Sequence, residues 1–385
     1  MIPYSRQIIT KDDKKRVKKV LESNFITQGK ILDKFESTLA SKVGAKYATG
    51  FNSATSALHI ACLALGVKKG DIVWTSTNSF VASANCALYC GAKVDLIDIS
   101  DDNFNINIRE LEKKLQIAKK RNKLPKVLIP VHFGGMPCDM EKIFKLSKKY
   151  KFKIIEDASH ALGAKYKGKK IGSCKYSDIS VFSFHPVKII TTAEGGAALS
   201  NSKLINHKLK LLRNHGITRD RNYLKNKRMP LWYYEFQELG FNYRLNEIQS
   251  TLGISQLGKL NKWVIYRNQL AAIYRKELKS LPIYIPEEKK GYYSSYHLFV
   301  IMIKKNKKKL DREDVYNLLR VKKIQSNVHY IPIHTHPYYK KLGFKGKNFP
   351  IATRYYNSCL SLPMYAGLTK NKQMKIINIL KKNLL

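Results

Sequence analysis

Apolar positions recur along this chain in two rhythms, one helical and one typical of buried strands. Near the amino end the rhythm is helical. Val17, Val20 and Leu21 form a stripe behind Thr10, and Asp13 stands at the capping-box distance from Thr10, with acids in the first turn. A second helix is predicted over residues 30–42. From about residue 50, helices over 56–65 and 80–89, closing near Gly66 and Gly91, alternate with strands over 71–75 and 94–99. The runs 127–132 and 153–156 are continuously apolar, as strands buried on both faces are, and a helix over 140–150 separates them. Strands over 179–184 and 196–200 complete the series. This alternation predicts an α/β fold with a mainly parallel or mixed sheet and helices on both faces.

The pattern changes near Asn246. Ile248, Leu252, Leu257, Leu260 and Val264 fall at helical spacing, and the helix continues to about Leu278, long enough to bridge two domains. Strands over 295–303 and 324–329 and helices over 312–319 and 371–382 then describe a smaller α+β domain. The expected division is a large domain over 1–250, including the amino-terminal helix, and a bridging helix with a small carboxy-terminal domain over 251–385. A chain of 385 residues is long enough for two such cores. It shows no internal repeat and no low-complexity tract.

Charge complicates the picture. Lys and Arg number 71 against 28 Asp and Glu, a formal +43, which raises nucleic acid as a partner. The excess is mostly lysine scattered among Asn and Ile, so a biased surface composition accounts for it better than a binding stripe. The clusters at 14–19, 167–170 and 304–309 read as solvated helix faces or loops. Six cysteines include no C-x-x-C pair and several lie in apolar stretches, as buried thiols of a reducing, cytoplasmic protein do. The first residues lack the apolar run and cleavage site of a signal peptide, and no stretch of about 20 apolar residues is present to span a membrane.

In an open α/β sheet, ligands bind at the carboxyl ends of the strands. Four segments fall there: Asn52–Ser56, His132–Gly135, Asp157, and the run from Ser183 to Lys188. NSATS at a helix start offers free N–H groups, hydroxyls and the positive dipole end, a phosphate cradle; a plain Ser/Thr cap is the alternative. Asp157 closes a strand with His160 three residues on; it can pair with a buried cation or protonated ring nitrogen, or cap a helix. Lys188 lies in SFHPVKIITTAEGG, among apolar and small residues. An enclosed lysine has a lowered pKa and becomes a nucleophile, whereas a snorkelling lysine keeps its head in water. HTH at His334–His336 has no Cys or carboxylate nearby, so no metal site is expected.

The segments NSATSALHIACLALGVKKGD, EDASHALGAKYKGKKIG, SFHPVKIITTAEGGA and GFNYRLNEIQSTLGISQL resemble the DegT/DnrJ/StrS family of nucleotide-sugar aminotransferases, from about residue 5 to the carboxyl end. The resemblance implies the aspartate-aminotransferase-like fold type I and pyridoxal 5′-phosphate as cofactor. It implies that Lys188 is the Schiff-base lysine and later the base that moves the proton, and that Asp157 pairs with the pyridine nitrogen. By the same resemblance Thr55, Ser56 and Ser183 are phosphate ligands, Phe80 stacks on the ring, and His160 stands near the ring hydroxyl. Asn242 reaches the phosphate from a neighbouring subunit, so a homodimer with shared sites is implied. His329, Tyr330 and His334 match a loop near the nucleotide sugar.

The forms SHALG, FHPVKIITTAEGG and NVHYIPIHTHPYY are similar to the branch that aminates C4 of a UDP-linked 4-keto-6-deoxy-L-hexose derived from N-acetylglucosamine, with L-glutamate as donor. The same chemistry on a D-gluco UDP sugar or on a GDP sugar stays open. A non-catalytic nucleic-acid-binding protein is the remote alternative.

Overall fold

The computed structural model describes residues 1–385. Its centre is a seven-stranded sheet. The strands lie in the order Tyr47–Phe51, Gly196–Ser200, Ile179–Ser183, Lys153–Asp157, Val127–Ile129, Ile72–Ser76, Lys93–Ile97. Gly196–Ser200 pairs antiparallel with both of its neighbours, and every other pairing in the sheet is parallel.

Both faces of this sheet are covered, and the strand sequences show why they read as apolar runs. Successive side chains leave a strand on opposite faces. Ile154 therefore joins the cluster around Phe35, Leu39 and Phe182, while its neighbour Ile155 joins the one around Leu58, Ile60 and Val181. Each fully buried side chain of this size contributes about 1.5–3 kcal/mol. The helix Lys30–Val43 covers one face and Ala54–Ala64 the other.

The helix expected from Asn246 to Leu278 is two helices, Glu247–Leu257 and Leu260–Glu277, with Gly258 and Lys259 between them. The second helix joins two cores. Its Leu260, Trp263 and Val264 pack with the large sheet, and Leu270, Ala271 and Tyr274 pack in a second cluster. That cluster covers an antiparallel three-stranded sheet ordered Ile283–Tyr284, Phe299–Ile303, Cys359–Leu362, together with the helices Arg312–Val321 and Lys370–Leu384.

Other expectations need correction. Residues 324–329 are no strand; Ile324 bridges Ile2 and Asn327 bridges Ser361, one pair each. Of the run 127–132 only Val127–Ile129 is continuous strand; Pro130 follows and lacks a ladder N–H, and pairing resumes as a single bridge between Val131 and Asp157. The strand predicted over 295–303 begins at Phe299, after a turn in which Tyr296 has φ +46°. The helix expected from Phe80 begins at Ala82, which leaves Phe80 on the loop before it. No helix is long and apolar enough to cross a membrane.

Candidate active site

Four strand ends meet at one cavity of about 390 Å³. Lys188, Asp157, Thr55, Ser183, Phe80, His160, His329 and Tyr330 all line it. They come from segments far apart in sequence, and the topology alone brings them together.

The floor is the start of the helix Ala54–Ala64. Ser53 caps it, its hydroxyl accepting the Ser56 N–H at 3.1 Å, and the Ala57 N–H bonds the Ser53 carbonyl. The N–H groups of Ala54 and Thr55 take no protein acceptor and stand at the positive end of the helix. Gly196 makes the close approach possible, for a Cβ there would lie 2.4 Å from the Ala54 nitrogen. Ser56 is turned away from the cavity: its hydroxyl donates to Asn52 Oδ1 at 2.6 Å. Its oxygen also lies 2.9 Å from Ser53 Oγ, and of the three hydroxyl residues at this helix start Ser53 and Thr55 line the cavity.

Asp157 ends its strand facing the cavity. Alternation sends the preceding Glu156 to the other face, where it receives His132 Nε2 at 2.8 Å and the Ser177 hydroxyl in the core. Two donors fix Asp157. The Ser83 hydroxyl donates to Oδ2 at 2.6 Å, and the Ser159 N–H donates to Oδ1 at 3.1 Å. A carboxylate held this way presents a defined edge to a ligand cation.

Lys188 follows a tight turn in which its N–H bonds the His185 carbonyl at 2.9 Å. The amine is enclosed, and burial brings its pKa down to about 8, with the Asp157 charge pulling it up. About a tenth of the amine is therefore neutral at pH 7 and about half near pH 8, far more than for a lysine in water, as a lysine nucleophile requires. The amino-terminal strand of chain braces this loop: the Ser5 hydroxyl donates to the Val187 carbonyl at 2.9 Å. Tyr4, next to it, lines the cavity and packs on His329 at 5.5 Å between ring centres.

Three histidines form the upper wall, all neutral. Burial, then the Lys188 charge, brings His329 down to about 3; its Nδ1 lies 2.8 Å from the Ser361 hydroxyl. His297 and His160 are held well below the usual range, chiefly by burial. His160 has both nitrogens engaged with the protein, by the Gly134 N–H at 3.2 Å and Tyr330 Oη at 3.0 Å. Gly135 lets these loops touch, since a Cβ there would lie 2.5 Å from Ser295 Oγ and 3.0 Å from the His160 carbonyl.

Besides Ser56, two expected residues do not line the cavity. His334 is buried away from the cavity, bonded to Thr77 Oγ1 at 2.6 Å and stacked on Phe349. Asn242 does not line the cavity of its own chain; its backbone bridges Asn214. Sequence reasoning missed Tyr4, Ser83, Ser159, His297 and Asn327. Ser83 and Ser159 had a local signal, standing near Phe80 and Asp157; Tyr4, His297 and Asn327 had none, because only the small domain's packing brings them in. No group of three or more His, Cys, Asp or Glu side chains is arranged to hold a metal.

The model of the DegT/DnrJ/EryC1/StrS aminotransferase family matches residues 7–381. A Campylobacter jejuni protein named UDP-4-amino-4,6-dideoxy-N-acetyl-beta-L-altrosamine transaminase is 41% identical over 95% of this chain and 93% of its own. The structure of Helicobacter pylori PseC, an aminotransferase involved in the biosynthesis of pseudoaminic acid, superposes with a TM-score of 0.90 at 34% identity, covering 100% of this chain and 99% of that one. The Streptococcus pneumoniae protein Spr1654 in its PLP form gives 0.88 at 27% identity, over 99% and 98% of the two chains.

Proposed function

Because the chain belongs to the DegT/DnrJ/EryC1/StrS aminotransferase family, we propose that it moves an amino group from L-glutamate to C4 of a UDP-linked 4-keto-6-deoxy-L-hexose derived from N-acetylglucosamine. The product is then UDP-4-amino-4,6-dideoxy-N-acetyl-β-L-altrosamine, and pyridoxal phosphate is the cofactor. One observation carries the reading: an enclosed lysine, a fixed carboxylate and a helix start with two free N–H groups share one cavity. The choice of sugar is supported by the 41% identical relative of that name and by the fit to PseC.

The residues present fit the cofactor. The Ala54 and Thr55 N–H groups, the Ser53 and Thr55 hydroxyls and Ser183 would hold a phosphate. Asp157 would face the pyridine nitrogen and keep its proton on, with Ser83 and Ser159 orienting the carboxylate. Phe80, on the loop at the rim, offers an aromatic face to the ring. Lys188 would hold the cofactor covalently through Nζ. When bound, pyridoxal phosphate supplies an electron sink that lets an amino group leave one carbon and join another.

Everything else is done by this chain's own groups. Lys188 Nζ, part neutral near pH 8, takes the proton from the amino-bearing carbon and returns it on the other side of the transfer. Neutral His297 and His329 keep further positive charge away from that amine.

A homodimer with shared sites is part of the proposal. It is supported by Asn242 standing off its own cavity and by exposed apolar side chains at Phe25, Ile26, Leu231, Trp232 and Phe236. A cytoplasmic location is also part of it, supported by six cysteines that are all free. The test is product formation: purified protein, pyridoxal phosphate, L-glutamate and the 4-keto sugar should yield the L-altro 4-amino sugar by NMR, and Lys188→Ala should abolish it. Equal product from Lys188→Ala would remove the lysine from the mechanism.

A further inference from the structure

The hydrogen bonds that join His160 and Tyr330 are accounted for except at one atom. The Gly134 N–H donates to His160 Nδ1 at 3.2 Å. A nitrogen that accepts carries no proton, so the neutral ring keeps its hydrogen on Nε2. Burial and the nearby Lys188 charge keep that ring neutral. Nε2 lies 3.0 Å from Tyr330 Oη, so the imidazole N–H donates and the phenol oxygen accepts.

Tyr330's own hydrogen is therefore left over. Burial keeps the phenol protonated, and no protein group accepts its hydrogen. The residue is held from three sides: its backbone N–H bonds Asn78 Oδ1 at 3.2 Å, Phe133 meets its ring edge-on, and His160 lies nearly parallel to it. Tyr330 lines the same cavity as Lys188 and Asp157.

We propose that Tyr330 donates its O–H to an electron-rich oxygen of the bound reactants, and that His160 is a positioning residue that aims this donor. The inference rests on the aminotransferase reading, and it changes what His160 does there: its N–H is spent on the tyrosine, so the tyrosine presents the donor. Two oxygens have the required chemistry, the ring hydroxyl oxygen of pyridoxal phosphate and the C4 carbonyl oxygen of the keto sugar. A donor fixed before the reaction stabilises charge on either without reorganising.

Nitrogen NMR of the histidine-labelled, pyridoxal-phosphate-loaded protein reads the first link. His160 is expected as the Nε2–H tautomer, with that resonance moved in Tyr330→Phe; an Nδ1–H ring overturns the arrangement. The visible spectrum without substrates then locates the oxygen. If it is the cofactor's, Tyr330→Phe raises the pH midpoint of the visible band by about one unit. If it is the sugar's, the spectrum stays put, kcat/KM for the keto sugar falls about tenfold, and the glutamate half-reaction is unchanged. A Tyr330→Phe protein equal to the original in both respects overturns the proposal. His160→Gln, which keeps an N–H, should shift these readouts less than His160→Leu; equal shifts would overturn the positioning role. Should the unaltered protein show no visible band with pyridoxal phosphate, the aminotransferase reading fails instead, and NMR of the unloaded protein still decides the proton arrangement.

Discussion

Lys188 owes its chemistry to enclosure. A lysine on the surface of this very basic chain stays charged at neutral pH, whereas burial brings this one down to about 8. The neutral fraction grows as pH rises through that value, so the rate at which added pyridoxal phosphate turns the protein yellow should rise with a midpoint near 8. A rate that stays flat until well above pH 9 would mean that the amine is not desolvated, as roughly the ordinary lysine value would require. The stability sign follows from the same shift. The folded pKa lies below the unfolded one, so the unfolded chain binds more protons between them, and Lys188's destabilising contribution shrinks as pH rises from about 8 toward 10.5. Lys188 and Asp157 were legible in the sequence because each follows an apolar strand and stands apart from its neighbours in polarity. The place of Ser56 was not legible: NSATS displays three hydroxyls, and which of them caps the helix and which lines the cavity depends on rotamers that spacing does not encode.

At the scale of elements, the strongest hidden dependence is at the start of the helix Lys30–Val43. Its own cap is Gly29, which has no side chain to offer. The carboxylate of Glu247 takes that place, accepting from the N–H groups of Gly29, Ile31 and Leu32 at 3.1, 2.7 and 3.3 Å. Glu247 is itself buried, and it opens the helix Glu247–Leu257 that packs against this one. Removing it leaves buried donors unpaired at a positive helix end. Glu247→Ala should therefore lower stability by about 3 kcal/mol, read as an earlier urea midpoint, and Glu247→Gln, which keeps an acceptor, by less. The helical rhythm predicted both helices, but nothing local pairs a glutamate with a helix start 216 residues away. The same limit explains residues 324–329. They read as a strand because they are extended and partly apolar, yet their partners are one residue each, Ile2 and Ser361, at opposite ends of the chain.

For the whole molecule, the proposed dimer and the charge make separate demands. If Asn242 serves the partner's cavity, Lys188→Ala and Asn242→Ala chains complement each other. Mixed and reassociated at equal amounts, half of the dimers carry one intact site, so about a quarter of the original activity should return. Activity no higher than that of the two separate variants would place Asn242 in its own chain's site or outside the machinery. The formal +43 has a role at this scale as well. The three lysine-rich clusters are solvent-exposed, as their sequences suggested, and an anionic nucleotide sugar approaches such a surface faster at low ionic strength. The alternation of strands and helices made the large sheet and its faces readable. The reversed strand Gly196–Ser200, which brings Gly196 against the start of the helix Ala54–Ala64, was not, because strand direction leaves no mark on hydropathy.

The most direct test of the central claim is a visible titration of the pyridoxal-phosphate-loaded protein with synthetic UDP-4-amino sugars, run as the reverse half-reaction. The account predicts a yellow protein whose colour is discharged by the L-altro 4-amino sugar, at concentrations where the D-gluco isomer leaves it unchanged. Discharge by the D-gluco isomer alone would contradict the proposed sugar and keep the chemistry. A protein that stays colourless with pyridoxal phosphate, or a yellow one that no 4-amino sugar bleaches, would contradict amino transfer to a nucleotide sugar altogether.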